Sequence, residues 1–330
     1  MSKNMNLLMR SILSLTFLVF IVGCSAAAAQ TEVTGDWNAS RGGEKSKSMR
    51  RQKSDEPDTF EDEQEAATPA KGDRIQLNFE RATTKGHHNQ IGQTYSFSEL
   101  QGLTREQVDQ GGAVKFSLVR EAGTIACEGT FQNGKGVGTF RFTANPAFIS
   151  AMKSRGFDFE RTDKTWGDER DSENKLFSAA ALNVTTALAD DLLSVGLARL
   201  DIDDLFKAAI FKVDSKFARE MKASGFPNLD MEDLVKARIF KIDPNFVSQV
   251  MQMGFANQSF EELVKMRIFK VTPEFIASVR SEGIANPSVE ELVKMKIFKI
   301  DSDFIRQAKA DGVPLNVESL VEKRIGVHRN

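Results

Sequence analysis

Ser259-Phe-Glu-Glu-Leu-Val-Lys-Met-Arg-Ile-Phe-Lys-Val-Thr-Pro-Glu-Phe-Ile-Ala-Ser-Val-Arg-Ser-Glu-Gly283 contains the punctuation of a complete pair of helices. Ser259 opens the first helix as an N-cap, and Glu262, three residues on, completes a capping-box pattern. Leu263, Val264 and Ile268 follow as its expected buried face. Thr272 caps the second helix, with Pro273 at the first helical position that suits proline, and Gly283 ends it as a left-handed stop. The pattern returns every 29 residues: Phe217, Phe246, Phe275 and Phe304; Gly225, Gly254, Gly283 and Gly312; Leu205, Leu234, Leu263 and Leu292; Phe211, Phe240, Phe269 and Phe298. Asp214, Asp243 and Asp301 repeat the first cap, and Asp230 with Asp233 and Ser288 with Glu291 repeat the capping box. Leu188 with Gly196, and Phe148 with Gly156, extend the series backward, the first unit carrying an eleven-residue insert around residues 162–170. Residues 145–330 are therefore expected to form about six units, the last cut short. One such hairpin cannot bury its apolar face alone, whereas stacked copies can, so the expectation is an α-solenoid.

Upstream, between 73 and 144, the period changes to two. Ile75, Leu77 and Phe79 alternate in Arg74–Glu80, 113–120 is a second run, and 124–132 and 137–143 are a third and fourth. Asn133-Gly-Lys-Gly136 between the last two is a hairpin signal. Thr104 and Gln107 form a capping box for a short helix. The fold class is α+β: a small antiparallel β-sheet domain followed by an α-solenoid of helical-hairpin repeats. The sheet is too slight to hide both faces, so its apolar side must pack on the helices that follow.

The N-terminus has a different character. Lys3 and Arg10 precede an apolar run from Ser11 to Gly23 that is too short to span a bilayer, and small residues follow it. Residues 1–24 thus have the form of an export signal. Ile21-Val-Gly-Cys24 resembles the lipobox of bacterial lipoproteins, which implies lipidation at Cys24 and a membrane anchor at the mature N-terminus. Ser25 would then favour the outer membrane in a two-membrane bacterium. An ordinary signal cut near Ala29-Gln30, giving a periplasmic or secreted protein, is the alternative. Residues 25–72 are polar, with a basic block from Arg41 to Lys53 and an acidic one from Asp55 to Glu65, and are expected to be a disordered tether of about 35–40 Å reach. The basic block could instead grip the cell wall. Trp37 is the exception, and could pair as a stray first strand.

Composition limits the chemistry. The 330 residues carry 44 basic and 46 acidic side chains, a formal charge of −2, so no basic surplus points to nucleic acid. Two cysteines cannot make a disulfide framework, and Cys127, alternating within a strand, is expected to be a packed hydrophobe. His87-His88 lies in a loop without a third ligand at suitable spacing, and Gly134-Lys-Gly-Val-Gly138 lies between strands, which makes it a turn and not a phosphate loop. No metallopeptidase, nucleophile-elbow, P-loop or C-x-x-C motif occurs, so no catalytic residue, cofactor or metal is assigned. The periodic phenylalanines are expected in the core. Lysines are periodic too, and two readings compete. Lys241, Lys270 and Lys299 could form a basic ladder for an acidic partner. Alternatively Glu232–Lys236, Glu261–Lys265 and Glu290–Lys294 are i,i+4 pairs, and the later lysines complement helix C-terminal dipoles.

The repeat, with Val271-Thr-Pro-Glu-Phe-Ile276, the eight-residue step to glycine and the capped Glu-Glu-Leu-Val helix, resembles one found in bacterial envelope proteins. That repeat stands behind antirepressor-type membrane metallopeptidases related to β-lactam sensors, and in small exported proteins after a sheet domain. The zinc-binding helix and transmembrane bundle of those peptidases have no counterpart here, so the resemblance implies an extracytoplasmic sensing or interaction module, not a protease. The expected function is a non-enzymatic, lipid-anchored envelope scaffold binding a protein partner. The alternative is a hydrolase, or a small-ligand or glycan-binding protein, with paired carboxylates at the sheet–repeat junction and the insert around Trp166 as a lid.

Overall fold

Period-two alternation builds seven strands: β1 (Val33–Arg41), β2 (Arg74–Ala82), β3 (His88–Ser96), β4 (Leu100–Gln101), β5 (Gly112–Arg120), β6 (Gly123–Gln132) and β7 (Lys135–Ala144). They form one antiparallel sheet in the order β3-β2-β1-β7-β6-β5-β4. The computed structural model describes residues 33–41, 73–82, 88–161, 171–197 and 199–326. The expected signal at 1–24 with Cys24, most of the expected tether at 25–72, His87, the insert at 162–170 with Trp166, and His328 lie outside them.

β1 corrects the tether boundary. Residues 33–41 are an interior strand of the sheet, paired with β2 on one side and β7 on the other. Trp37 is the reason so polar a stretch folds. It is buried over Gly129, Gly136 and Gly138, its Nε1 donates to the Glu128 carbonyl at 3.2 Å, and its ring meets Phe116 edge-on at 5.2 Å. A Cβ on Gly136 would lie 2.8 Å from the indole and 2.5 Å from Phe131, so the glycines are the floor of a slot for the ring. Asn133 and Gly134 turn β6 into β7 with φ of 52° and 72°, a two-residue primed turn that matches strand twist. The glycine cluster is thus a turn and a tryptophan seat.

Helix α1 (Arg105–Gln110) opens at the Thr104–Gln107 capping box, and α2 (Pro146–Ser154) begins the array. The sheet's apolar face is covered by α3 (Asp171–Leu182). Phe177 stacks on Phe140 at 4.9 Å and meets Phe79 edge-on at 5.8 Å, while the Tyr95 hydroxyl donates to the Ala181 carbonyl at 2.8 Å. Cys127 is buried in this layer and burial pushes its thiol up, which fits packing and not reactivity.

Five more hairpins follow: α4 (Thr186–Leu193) with α5 (Ile202–Phe211), α6 (Ser215–Ala223) with α7 (Met231–Ile239), α8 (Pro244–Gln252) with α9 (Phe260–Ile268), α10 (Pro273–Ser281) with α11 (Val289–Ile297), and α12 (Ser302–Ala310) with α13 (Val317–Ile325). The last unit is complete, which corrects the truncation expected there: Asn316 caps α13 by accepting from the Ser319 amide at 2.9 Å. The other caps stand where the sequence puts them. Asp214, Asp243, Thr272 and Asp301 each accept from the amide three residues on, at 2.7–3.2 Å. Leu205, Leu234, Leu263 and Leu292 are buried in the seam between second helices, which joins the sheet's core in one apolar cluster. No helix among the described residues is long and apolar enough to cross a membrane by itself.

Candidate interaction surface

Every hairpin has two chain reversals, and they are built differently. The first helix stops at glycine throughout the array, with φ from 63° to 113° at Gly156, Gly196, Gly225, Gly254, Gly283 and Gly312. The second helix stops in the same left-handed region at Asn183, Lys212, Lys241, Lys270, Lys299 and Gly326, unit by unit. The four internal units therefore place a lysine where φ is 51–57°. That conformation costs an L-residue roughly 1–2 kcal/mol, and glycine fills the equivalent stop of the other helix. The reversal itself is sound: the amides of Val213, Ile242, Val271 and Ile300 each donate back five residues, at 2.8–3.1 Å, and those four side chains are buried. Backbone geometry explains the turn and does not explain the lysines. Lys241, Lys270 and Lys299 thus share one conformation at one repeat position, a feature that residue type and spacing do not reveal.

Two residues before each lysine stands an isoleucine that is not buried. Ile210, Ile239, Ile268 and Ile297 are 46–53% exposed, and Ile325 of the last unit is 55% exposed. This corrects the sequence expectation for Ile268. Leu263, Val264 and Met266 fill the inward stripe of α9, and Ile268 lies past it on the outer side of the last turn. Phe211, Phe240, Phe269 and Phe298 between isoleucine and lysine are half-buried.

Cations finish the surface. Arg238 lies 3.7 Å over the Phe217 ring, Arg267 lies 3.9 Å over Phe246, Lys296 4.3 Å over Phe275 and Arg324 4.8 Å over Phe304. The phenylalanines of that column are core or half-buried, and each has a basic side chain as its lid. Arg267 also donates to the Lys241 carbonyl at 2.6 Å, and Arg324 to that of Phe298 at 3.1 Å, tying each unit to the one before.

The expected i,i+4 pairs are replaced by a ladder between units. Lys207 pairs with Glu232, Lys236 with Glu261 at 3.1 Å, Lys265 with Glu290 at 3.2 Å and Lys294 with Glu318 at 2.5 Å. Stacked second helices bring the lysine of one unit level with the acid of the next. Each hydrogen bond raises the ammonium of Lys207, Lys236 and Lys294 above its ordinary value. These pairs are exposed, so solvent screening leaves each of them little weight in stability.

A polar cleft of about 350 Å3 lies where the first two units of the array meet, lined by Asp158, Arg161, Lys175, Arg199, Asp201 and Asp203 and by no strand residue. Asp201 is engaged as the α5 cap, accepting the Asp204 amide at 2.9 Å, and Asp158 faces Lys153 at 3.3 Å. Asp203 has a raised carboxyl, first from burial and then from Asp201 nearby. Of the three acids that line the cleft, Asp158 and Asp201 are engaged elsewhere and Asp203 has the shifted carboxyl. A second cleft, about 590 Å3, lies between units along Gly196, Arg219, Lys222 and Phe226. Among the described residues no group of three or more His, Cys, Asp or Glu side chains could hold a metal ion.

Compared with family models, curated proteins and solved structures, the chain matches none.

Proposed function

We propose that this chain is an exported, lipid-anchored envelope protein whose α-solenoid is a non-enzymatic scaffold for a protein partner. One observation carries the interaction half: the internal units repeat an exposed isoleucine beside a lysine held in a conformation that favours glycine. The half of each isoleucine left in water adds nothing to the core, and strain kept at one site in successive copies points to use of the side chain. The export half rests on the charged start, the short apolar run and Cys24, and the resemblance to envelope repeats supports both halves.

Crosslinking capture from envelope extract tests the scaffold, comparing the full chain with the Ile239→Ser, Ile268→Ser, Ile297→Ser triple variant. A partner held by the full chain and lost by the variant supports it, whereas equal capture removes the row from consideration. Labelled palmitate entering the full chain but not Cys24→Ser supports the anchor, and no label in either removes it. The cleft between the first two units supports a second reading through Asp203. A glycan or small molecule that raises the melting temperature of the wild type, and not of Asp203→Asn, would establish a ligand site there.

A further inference from the structure

We infer that the cleft between the second and third units binds a medium-chain fatty carboxylate, its hydrocarbon chain against Ala218 and Leu234 and its charged head on Lys222. The inference is independent of the scaffold reading, which rests on the other chain reversal of each hairpin.

Missing side-chain volume makes the cleft. At one position of the first helix, successive units carry Ala189, Ala218, Val247, Ile276 and Ile305. The last three are 0–3% exposed and fill the space between their units. Ala218 has only a methyl group to offer, and a cleft of about 590 Å3 lies against it and against Leu234, a seam leucine that is otherwise buried. Leu197 and Phe226, each directly after a glycine stop, are further apolar lining. Core-type side chains therefore line an open cleft, in the size range that takes a small organic molecule, and a hydrocarbon chain lying there would remove them from water.

The charged groups of the cleft select the head. Arg219, Lys222 and Asp230 line it. Arg219 donates to Ser215 Oγ at 2.6 Å, and Ser215 donates to Asp191, whose carboxyl the Arg219 charge also helps to lower. Asp230 caps α7, accepting the Asp233 amide at 2.9 Å at the positive end of that helix. Glu220, beside Arg219 in sequence, faces Lys216 at 3.7 Å. Of the three lining charges, only the Lys222 ammonium has neither a hydrogen bond nor an ion pair among the described residues.

The backbone adds a donor. The amides of Phe157, Phe226, Phe255 and Val313, each following a glycine stop, donate back five residues at 2.9–3.2 Å. Those of Leu197 and Ile284 make no such bond, and Leu197 lies in the cleft. An amide without an acceptor and an ammonium without a counter-ion thus stand over an apolar floor, and both call for a group that accepts. A carboxylate at the end of a hydrocarbon chain meets both demands. An acyl chain held as an ester brings no charge to Lys222, so the free anion is the species selected.

Isothermal titration calorimetry of the full chain with octanoate, kept below its micelle-forming concentration, is the test. Saturable binding with a negative heat-capacity change is expected. Ala218→Ile installs the side chain that Ile276 and Ile305 carry in later units, fills the cleft, and should weaken octanoate about tenfold or more. Lys222→Glu should weaken it about tenfold as well. Lys222 is exposed, so that variant keeps the fold and decides the matter even where Ala218→Ile perturbs packing. Circular dichroism of both variants should match wild type. Methyl octanoate and acetate, which lack the charge and the chain respectively, should bind poorly. No saturable octanoate binding would overturn the inference, as would undiminished binding in either variant with a native spectrum. Methyl octanoate binding as tightly as octanoate would overturn it too, by showing an apolar hole that does not read the head. None of these outcomes touches the isoleucine–lysine row, which stands or falls by crosslinking capture.

Discussion

Replacing Lys241, Lys270 and Lys299 together by glycine should make the protein more stable and less able to bind. Each lysine sits at φ of 51–53°, where an L-residue is roughly 1–2 kcal/mol above its favoured regions. Glycine removes that strain but gives the unfolded chain freedom worth about 0.4–1 kcal/mol. The net gain is about 0.5–1 kcal/mol per site, and sites one unit apart should add, giving about 2 kcal/mol for the triple variant. For a cooperative unit of this size that is a rise of about 4–8 °C in melting temperature. Scanning calorimetry and urea titration of the full chain read it directly, with Lys299→Gly as the cleanest single site because Lys241 and Lys270 each interact with a neighbour. A stabilised triple variant that no longer captures the crosslinked partner shows strain retained for binding. A destabilised one refutes the reasoning: the lysine side chains would then be structural contacts stronger than the strain they accompany.

Gly254→Val should lower stability by about 2 kcal/mol, entirely through φ of 92°, since the nearest atom to a new Cβ is Arg280 Nη2 at 3.5 Å; an unchanged melting curve would refute the helix boundaries. Gly136→Ala should cost at least about 2 kcal/mol and alter the near-ultraviolet signal of Trp37, whose ring the new methyl would strike. Asp191 is held below the ordinary carboxylate range by hydrogen bonds from Ser215 Oγ at 2.5 Å and its amide at 2.7 Å. Its contribution is therefore full above the ordinary aspartate range and lost as pH falls through the lowered folded value, so Asp191→Asn should show less additional loss of stability on acidification below about pH 4 than wild type.

How much was legible depended on which physical term fixed each element. Helix ends follow from local chemistry: Asp230, Ser259 and Ser288 cap, Gly225, Gly254 and Gly283 stop, and the structure places all six as their spacing implies. β1 was nearly hidden because its stability is non-local. Trp37 is useful only when Gly129, Gly136 and Gly138, nearly a hundred residues on, provide its slot. The charge ladder escapes sequence reasoning for a related reason. Glu261 is four residues from Lys265 in sequence, but stacking brings it to Lys236 of the preceding unit. Ile268 was placed inside because periodicity marks an apolar stripe without saying where along the last turn the neighbouring unit ends. The lysine conformation had no signature at all, since lysine is not a residue type that announces a left-handed stop.

The end units argue that the row is a surface feature and not a by-product of the repeat. In the first unit the isoleucine position is Ala181, buried with its carbonyl taken by Tyr95, and the lysine position is Asn183. There Tyr95 of the sheet covers the isoleucine position, whereas Asn183 is exposed, so the change at the lysine position does not follow from burial. Asparagine tolerates the left-handed region well, so a less strained stop than lysine is available to the fold. In the four units that follow, the position is open and isoleucine and lysine appear together each time. The last unit keeps Ile325 exposed and stops at Gly326, directly after the isoleucine. A stop less strained than lysine is thus available to this fold, and the recurrence of lysine two residues after an exposed isoleucine in four successive units is the pattern that the proposed contact with another molecule predicts.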